Sequence, residues 1–265
     1  GVSMFYPTDA QFGTVKAASV PNGGKFLALV GSRFAYETTG EDNQEIIGGR
    51  YQVDATTGLY KIHSSTSEVV GNREPKFIGG LNNTFHIKDL TLSFLLDFRI
   101  GGDVYNGTEY YMVSNGLSKR TLENGREYVT VTGVDSKTGA DINQTYYADQ
   151  SYDINGVTYS GKAMIKKYWD NYCSNSYNFI TSVNWLKLRS LSVSYDFTKL
   201  IKRQNVIKRL SVTATGTNLF TWTNYKGMDP EVSTAGGTGG SGATGIDYCS
   251  VPSTSSFSFG VNLTF

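Results

Sequence analysis

From Ser256 to Phe265 the chain alternates without a break: Phe257, Phe259, Val261, Leu263 and Phe265 share one face, and Ser256, Ser258, Gly260, Asn262 and Thr264 share the other. Period two of this strictness predicts a β-strand with one apolar and one polar side. The strand closes on an aromatic residue with no polar tail, the ending that outer-membrane barrels use. A second run, Leu90 to Ile100, repeats the pattern. Leu90, Leu92, Phe94, Leu96, Phe98 and Ile100 face Thr91, Ser93, Leu95, Asp97 and Arg99. Asp97 and Arg99 on one face suit a wet lumen better than a dry core, where unpaired charge is costly.

Three more runs can be phased. Phe77, Leu81, Phe85 and Ile87 alternate with Ile78, Gly80, Asn82, Thr84 and His86, and only Lys88-Asp89 separates this run from the next, which predicts a tight hairpin. Leu191, Val193, Tyr195 and Phe197 oppose Ser190, Ser192, Ser194 and Asp196. Upstream the phase fails, because Leu186 and Leu188 alternate with Lys187 and Arg189, so a bulge or an exit from the membrane is expected near Arg189. Leu210, Val212 and Ala214 then oppose Ser211, Thr213 and Thr215. Strands are therefore expected at about 76–88, 89–101, 184–197, 208–222 and 254–265, with extracellular loops at 102–183 and 223–253. Connections alternate short and long, as in outer-membrane barrels with short periplasmic turns. Residues 1–75 read as upstream strands and loops that resist phasing, with short candidates around Lys25–Ser32, Gly49–Asp54 and Leu59–His63.

Composition narrows the alternatives. No apolar run reaches the 18 or so residues of a membrane helix, whereas a barrel strand needs only about 9–11 and leaves the mean hydropathy, here −0.29, near that of a soluble protein. Lys plus Arg total 24 against 23 Asp plus Glu, a net charge of +1 that argues against a nucleic-acid partner. The 30 Gly and 18 Tyr, with 18% charged residues, favour many strands joined by turns. The alternative within the same fold class is a secreted soluble β-sandwich that binds glycans through loop aromatics.

Few motifs carry chemistry. Gly237-Thr238-Gly239-Gly240-Ser241-Gly242 matches GxGxxG but has neither a buried strand before it nor a helix after it, so it reads as a loop tip. His63 and His86 sit in different strand regions; His86 falls on a polar face, where a hydrogen-bonding role outweighs catalysis. Cys173 and Cys249 are either unrelated small residues or a single bridge. Asp229-Pro230-Glu231 reads first as a turn and second as a contact for a cation or polar ligand. Tyr110, Tyr111, Trp169, Trp222 and Tyr225 stand where long loops begin and end, as an interfacial girdle or as stacking surfaces for sugar rings or peptide side chains. With Asp229 and Glu231 they form the candidate substrate-binding set; Asp97, Arg99 and Asn262 are the candidate lumen-facing set. No catalytic pair, metal site or cofactor is nominated.

Residues 177–197 (YNFITSVNWLKLRSLSVSYDF), 215–233 (TGTNLFTWTNYKGMDPEVS) and the closing FSFGVNLTF resemble the C-terminal barrel of SusC-like (SusC/RagA) TonB-dependent transporters, and 75–111 resembles the preceding hairpin. The resemblance implies a Bacteroidetes-type outer membrane importer with a barrel of about 22 strands, an N-terminal plug, energy from the TonB complex and a SusD-like surface lipoprotein as lid. Its cargo would be oligosaccharides or, in some members, peptides. The 265 residues would be the C-terminal share of that barrel: they open on Gly1 and show no plug or TonB box, so coupling to TonB would reside elsewhere in the chain.

Overall fold

The computed structural model describes residues 11–12, 15–18, 27–39, 44–65, 68–201, 206–231, 245–249 and 251–265. The Gly237–Gly242 stretch, Lys25 and Phe26 lie outside them. The described residues pack into two compact units, one drawn from Gly1–Arg73, Val104–Thr181 and Ser233–Ser250, the other from Glu74–Asp103, Ser182–Val232 and Val251–Phe265.

The second unit is a five-stranded antiparallel sheet of β1 (Phe77–Ile87), β2 (Leu90–Ile100), β3 (Trp185–Asp196), β4 (Arg209–Thr223) and β5 (Ser256–Thr264), in the order β5-β4-β3-β2-β1. Ile87 pairs with Leu90, so Lys88-Asp89 is the whole turn, and Lys88 takes a left-handed backbone (φ 55°). The register aligns like with like. Leu96 lies opposite Leu81 and Leu188, Phe94 opposite Leu191, and Val212 opposite Tyr195 and Val261. Because side chains alternate, every such pair falls on one face.

That apolar face is open. Phe257 is 70% exposed and Phe259 81%, which a soluble sandwich would avoid by packing a second sheet over them. Its aromatics pair with one another: Phe77 stacks on Phe98 at 5.5 Å and Phe220 on Trp222 at 5.7 Å. Gly79 makes the first possible, since a Cβ there would sit 2.9 Å from the Phe98 ring.

The other face carries hydroxyls and charge, and the hydroxyls bond across strands: Thr84 with Ser93 (3.0 Å), Thr213 with Ser194 (2.8 Å), Ser192 with Thr215 (2.8 Å) and Thr217 with Ser256 (2.6 Å). His86 joins this ladder through Nδ1 and the Thr91 hydroxyl at 3.0 Å.

The irregularity near Arg189 is a bulge. Against β2 the extra residue lies in β3, Leu188 pairing with Leu96 while Ser190 pairs with Leu95; against β4 the extra residue lies in β4, Leu188 pairing with Phe220 while Ser190 pairs with Thr217. The inserted residue inverts the parity of β3. Lys187 above the bulge and Ser190, Ser192 and Ser194 below it therefore line the same polar face, while Leu186, Leu188, Leu191 and Val193 share the apolar one.

The first unit holds a four-stranded sheet of Gln11–Phe12, Val15–Ala18, Ala28–Gly31 and Glu68–Asn72. A second one joins Asp141–Tyr147, Tyr128–Asp135, Gln52–Asp54 and Leu59–Tyr60, with Val134 pairing in parallel with Gln52. The stretch read as one long loop thus supplies two strands of that sheet, a hairpin of Ser151–Ile154 and Val157–Ser160, and two helices, α1 (Gly107–Ser114) and α2 (Gly161–Cys173). The Ser160 hydroxyl caps α2 by accepting from the Ala163 N–H. Met164 and Ile165 of α2 enter a core with Val53, Val131 and Tyr146; Cys173 enters another with Leu29, Tyr105 and Phe179. Cys173 is buried, Cys249 is exposed, and both are free thiols.

A charge on the apolar face at the bilayer midplane costs about 2–4 kcal/mol. Phe94→Arg and Phe259→Arg are expected to deplete the full-length protein from the outer membrane fraction, whereas Asn262→Asp on the polar face assembles normally. Equal assembly of all three contradicts the assignment of faces.

Candidate functional site

On the polar face, side chains from β2 and β3 meet the connection that follows β4. Lys187 Nζ lies 2.7 Å from Asp229 Oδ1 and 2.6 Å from Glu231 Oε2. Arg189 reaches Glu231 through Nη2 and Asp97 through Nε at 2.8 Å. The Ser253 hydroxyl and N–H both donate to Asp229 Oδ2, and the Glu231 N–H donates to Oδ1 at 3.0 Å. The result is an unbroken ionic chain, Asp97–Arg189–Glu231–Lys187–Asp229, tied at its end to Ser253 just before β5.

Its ends differ in exposure. The Lys187 and Asp229 side chains are 4% and 8% exposed, while Arg189, Asp97 and Glu231 are partly open. Burial pushes the Asp229 carboxyl up, yet the hydrogen bonds from Lys187, Ser253 and two backbone N–H groups bring it down to about 2. Trp185 lies under both cations, 5.5 Å from the Arg189 guanidinium carbon and 5.7 Å from Lys187 Nζ. Every charge in the chain has an opposite partner, so it holds no uncommitted acid or base; it works as a clasp, fixing the Asn224–Glu231 connection to the wall.

Asparagines complete the clasp. Asn184 Oδ1 accepts from the Gly101 N–H at 2.8 Å, and Asn224 Oδ1 accepts from the Asn184 N–H at 2.7 Å. The Asn224 amide returns a bond to Ser182 O, and the Thr223 hydroxyl one to Asn184 O. The ring of Tyr225 covers Gly227, where a Cβ would lie 2.2 Å from it, which is why a glycine follows Tyr225-Lys226.

The sequence candidates scatter accordingly. Asp97, Asp229 and Glu231 meet in the clasp. Arg99 lies on the same polar face and donates to Gly101 O at 3.0 Å; Asn262 pairs with Ser211 on that face. Trp222 sits on the apolar face with Phe220, and Tyr225 is buried in its turn, so neither offers a ring to the polar side. Tyr110 packs on Phe179 at 5.4 Å inside the first unit, and Tyr111 on the same helix is exposed. Trp169 joins both cores of that unit and lines a cavity there. Lys187, Trp185, Ser253, Asn184 and Asn224 were not among the candidates. The available signal was the phase failure itself, which set Lys187 and Arg189 two apart just as Asp229 and Glu231 are.

No protein-family model matches the chain. Curated relatives do: TonB-dependent receptor P26 of Formosa agariphila is 26% identical over 260 residues, which is 93% of this chain and 23% of that protein. TonB-dependent receptor P39 of the same organism is 24% identical over 84% of this chain and 19% of its own length. The chain is homologous to TonB-dependent receptors. It spans about a quarter or less of the receptors it matches. Among solved structures, the RagAB peptide importer in its open-open state shares the fold with a TM-score of 0.50 and 16% identity, over 95% of this chain and 26% of that one. The all-β, antiparallel wall described above matches a fragment of a TonB-dependent receptor barrel in fold.

Breaking the buried pair leaves a carboxylate out of water without its cation, a loss of about 3–5 kcal/mol. Lys187→Met is expected to lower the unfolding temperature of the detergent-solubilised receptor by several degrees. Asp229→Asn, which keeps the shape, costs less. The depressed Asp229 carboxyl contributes stability that is complete above its unfolded value of about 3.9 and disappears as pH falls through about 2. The difference in unfolding temperature between wild type and Asp229→Asn should accordingly shrink across that window.

Proposed function

We propose that the chain forms the C-terminal wall of an outer membrane importer that takes up oligosaccharides or peptides through a TonB-driven barrel. A SusD-like surface lipoprotein covers its outer face. The observation that carries this reading is the sheet with one open apolar face and one polar face where Lys187 and Arg189 pair with Asp97, Asp229 and Glu231, in a chain homologous to TonB-dependent receptors. Lipid meets the Phe94, Phe257 and Phe259 side; the polar side, with Asp97, Arg99 and Asn262, meets lumen or plug. Trp222 and Phe220 at the end of β4 take the place of an interfacial girdle. In this reading the connections 102–183 and 223–253 are extracellular loops, as the long connections of a barrel are.

The function is transport without bond chemistry. The clasp anchors the connection after β4 to the wall, so that outer loops keep a fixed base while cargo and lid move. The peptide cargo named for RagAB makes peptides a candidate beside glycans. Deletion of the gene is expected to abolish growth on one oligosaccharide or peptide source while growth on its monomers continues, and co-purification of the tagged receptor is expected to recover a surface lipoprotein. Unchanged growth on every polymeric source, with no lipoprotein recovered, contradicts the proposal.

A further inference from the structure

Within the first unit, the end of α1, the turn after it and the first turns of α2 enclose a cavity of about 610 Å³, the size of a small-ligand site. Val113, Ile165 and Trp169 give it an apolar wall. Arg126, Lys162 and Lys166 bring three cations to its lining against one carboxylate, Asp170, which already pairs with Lys166 at 2.6 Å. Lys162 has no carboxylate partner among the described residues. Arg126 is held in place: its guanidinium donates to Gly116 O at 2.6 Å and to Thr121 O at 3.2 Å, and its backbone takes φ 63°, a conformation that arginine adopts only at a cost.

The side-chain donors of the uncharged polar groups at Ser114 and Asn115 are committed, since the Ser114 hydroxyl donates to Tyr111 O and the Asn115 amide to Tyr111 O and the Ser114 hydroxyl. A neutral sugar, which needs several free donor and acceptor groups, finds few here. An apolar body with one anionic head finds a wall for the first and a cationic rim for the second.

We propose that this cavity binds an amphipathic carboxylate, either the C-terminal end of a peptide with apolar last residues or a free carboxylic acid of similar size. The inference rests on the receptor reading only in that the site would lie on the outer loops, ahead of the lumen.

The test is calorimetric titration of the complete detergent-solubilised receptor with N-acetyl-Leu-Phe, with its C-terminal amide, with octanoate and with a glucuronate oligosaccharide. The free acid is expected to bind, and its amide about tenfold more weakly. Lys162→Glu should weaken the acid about tenfold, Lys162→Arg should restore it, and Ser114→Trp, which fills the mouth, should abolish it. Competition by octanoate extends the site to free acids; failure to compete restricts it to peptide ends. Equal binding of acid and amide, indifference to both Lys162→Glu and Ser114→Trp, or binding of the glucuronate alone overturns the proposal. Normal membrane assembly of the variants in that case leaves the receptor reading intact.

Discussion

At Arg189 one extra residue enters β3, and the two faces of the wall depend on it. A strand between lipid and lumen must keep each side chain on its own side along the whole span, because a single step of phase moves every apolar group into water and every charge into hydrocarbon. Without the bulge, continuing the Ser190–Ser192–Ser194 phase upward would carry Lys187 and Arg189 out among Leu96, Phe98 and Phe220. With it, Lys187 turns inward and meets Asp229. Bulge and clasp are one device, the first aiming the cations and the second satisfying them.

The clasp also explains why two distant segments occur together. Asn184-Trp185-Leu186-Lys187-Leu188-Arg189 supplies a cap, a ring and two cations; Asn224-Tyr225-Lys226-Gly227-Met228-Asp229-Pro230-Glu231 supplies the other cap, a glycine-backed turn and two acids. A buried ion pair is weak evidence for stability as such, since desolvation consumes most of the Coulomb gain. Its firmer contribution is specificity: only one register of β3 brings Lys187 to Asp229 and Arg189 to Asp97 at once.

Legibility in the sequence followed the range of the interactions. β2 and β5 carry period two on their apolar faces along their whole length and β1 over part of its length, a local signal, and the two-residue turn at Lys88-Asp89 could be placed to the residue. The bulge showed as a phase failure, but its consequence needed the partner strands. Residues 1–75 stayed obscure because strands there are short and pair at long range, as Val30 does with Val69 and Gln52 with Val134. The helix α2 is marked by Ser160 and by Met164, Ile165, Tyr168 and Trp169 at helical spacing, a pattern hidden inside a stretch judged by alternation alone. Candidate site residues fared unevenly for a related reason. Acids are informative because charge demands a partner, whereas an aromatic at a strand end looks the same whether it meets lipid, a turn or a ligand.

The phase of β3 across Arg189 tests the account most directly. Spin labels placed singly from Leu186 to Tyr195 in the full-length receptor, with Cys173 and Cys249 replaced by serine, report lipid exposure through collision with molecular oxygen in reconstituted bilayers. The account predicts high oxygen accessibility at 186, 188, 191, 193 and 195, with low values at 187, 190, 192 and 194. An unbroken alternation, high at 186, 188, 190, 192 and 194, would contradict the bulge, the clasp and the assignment of faces together.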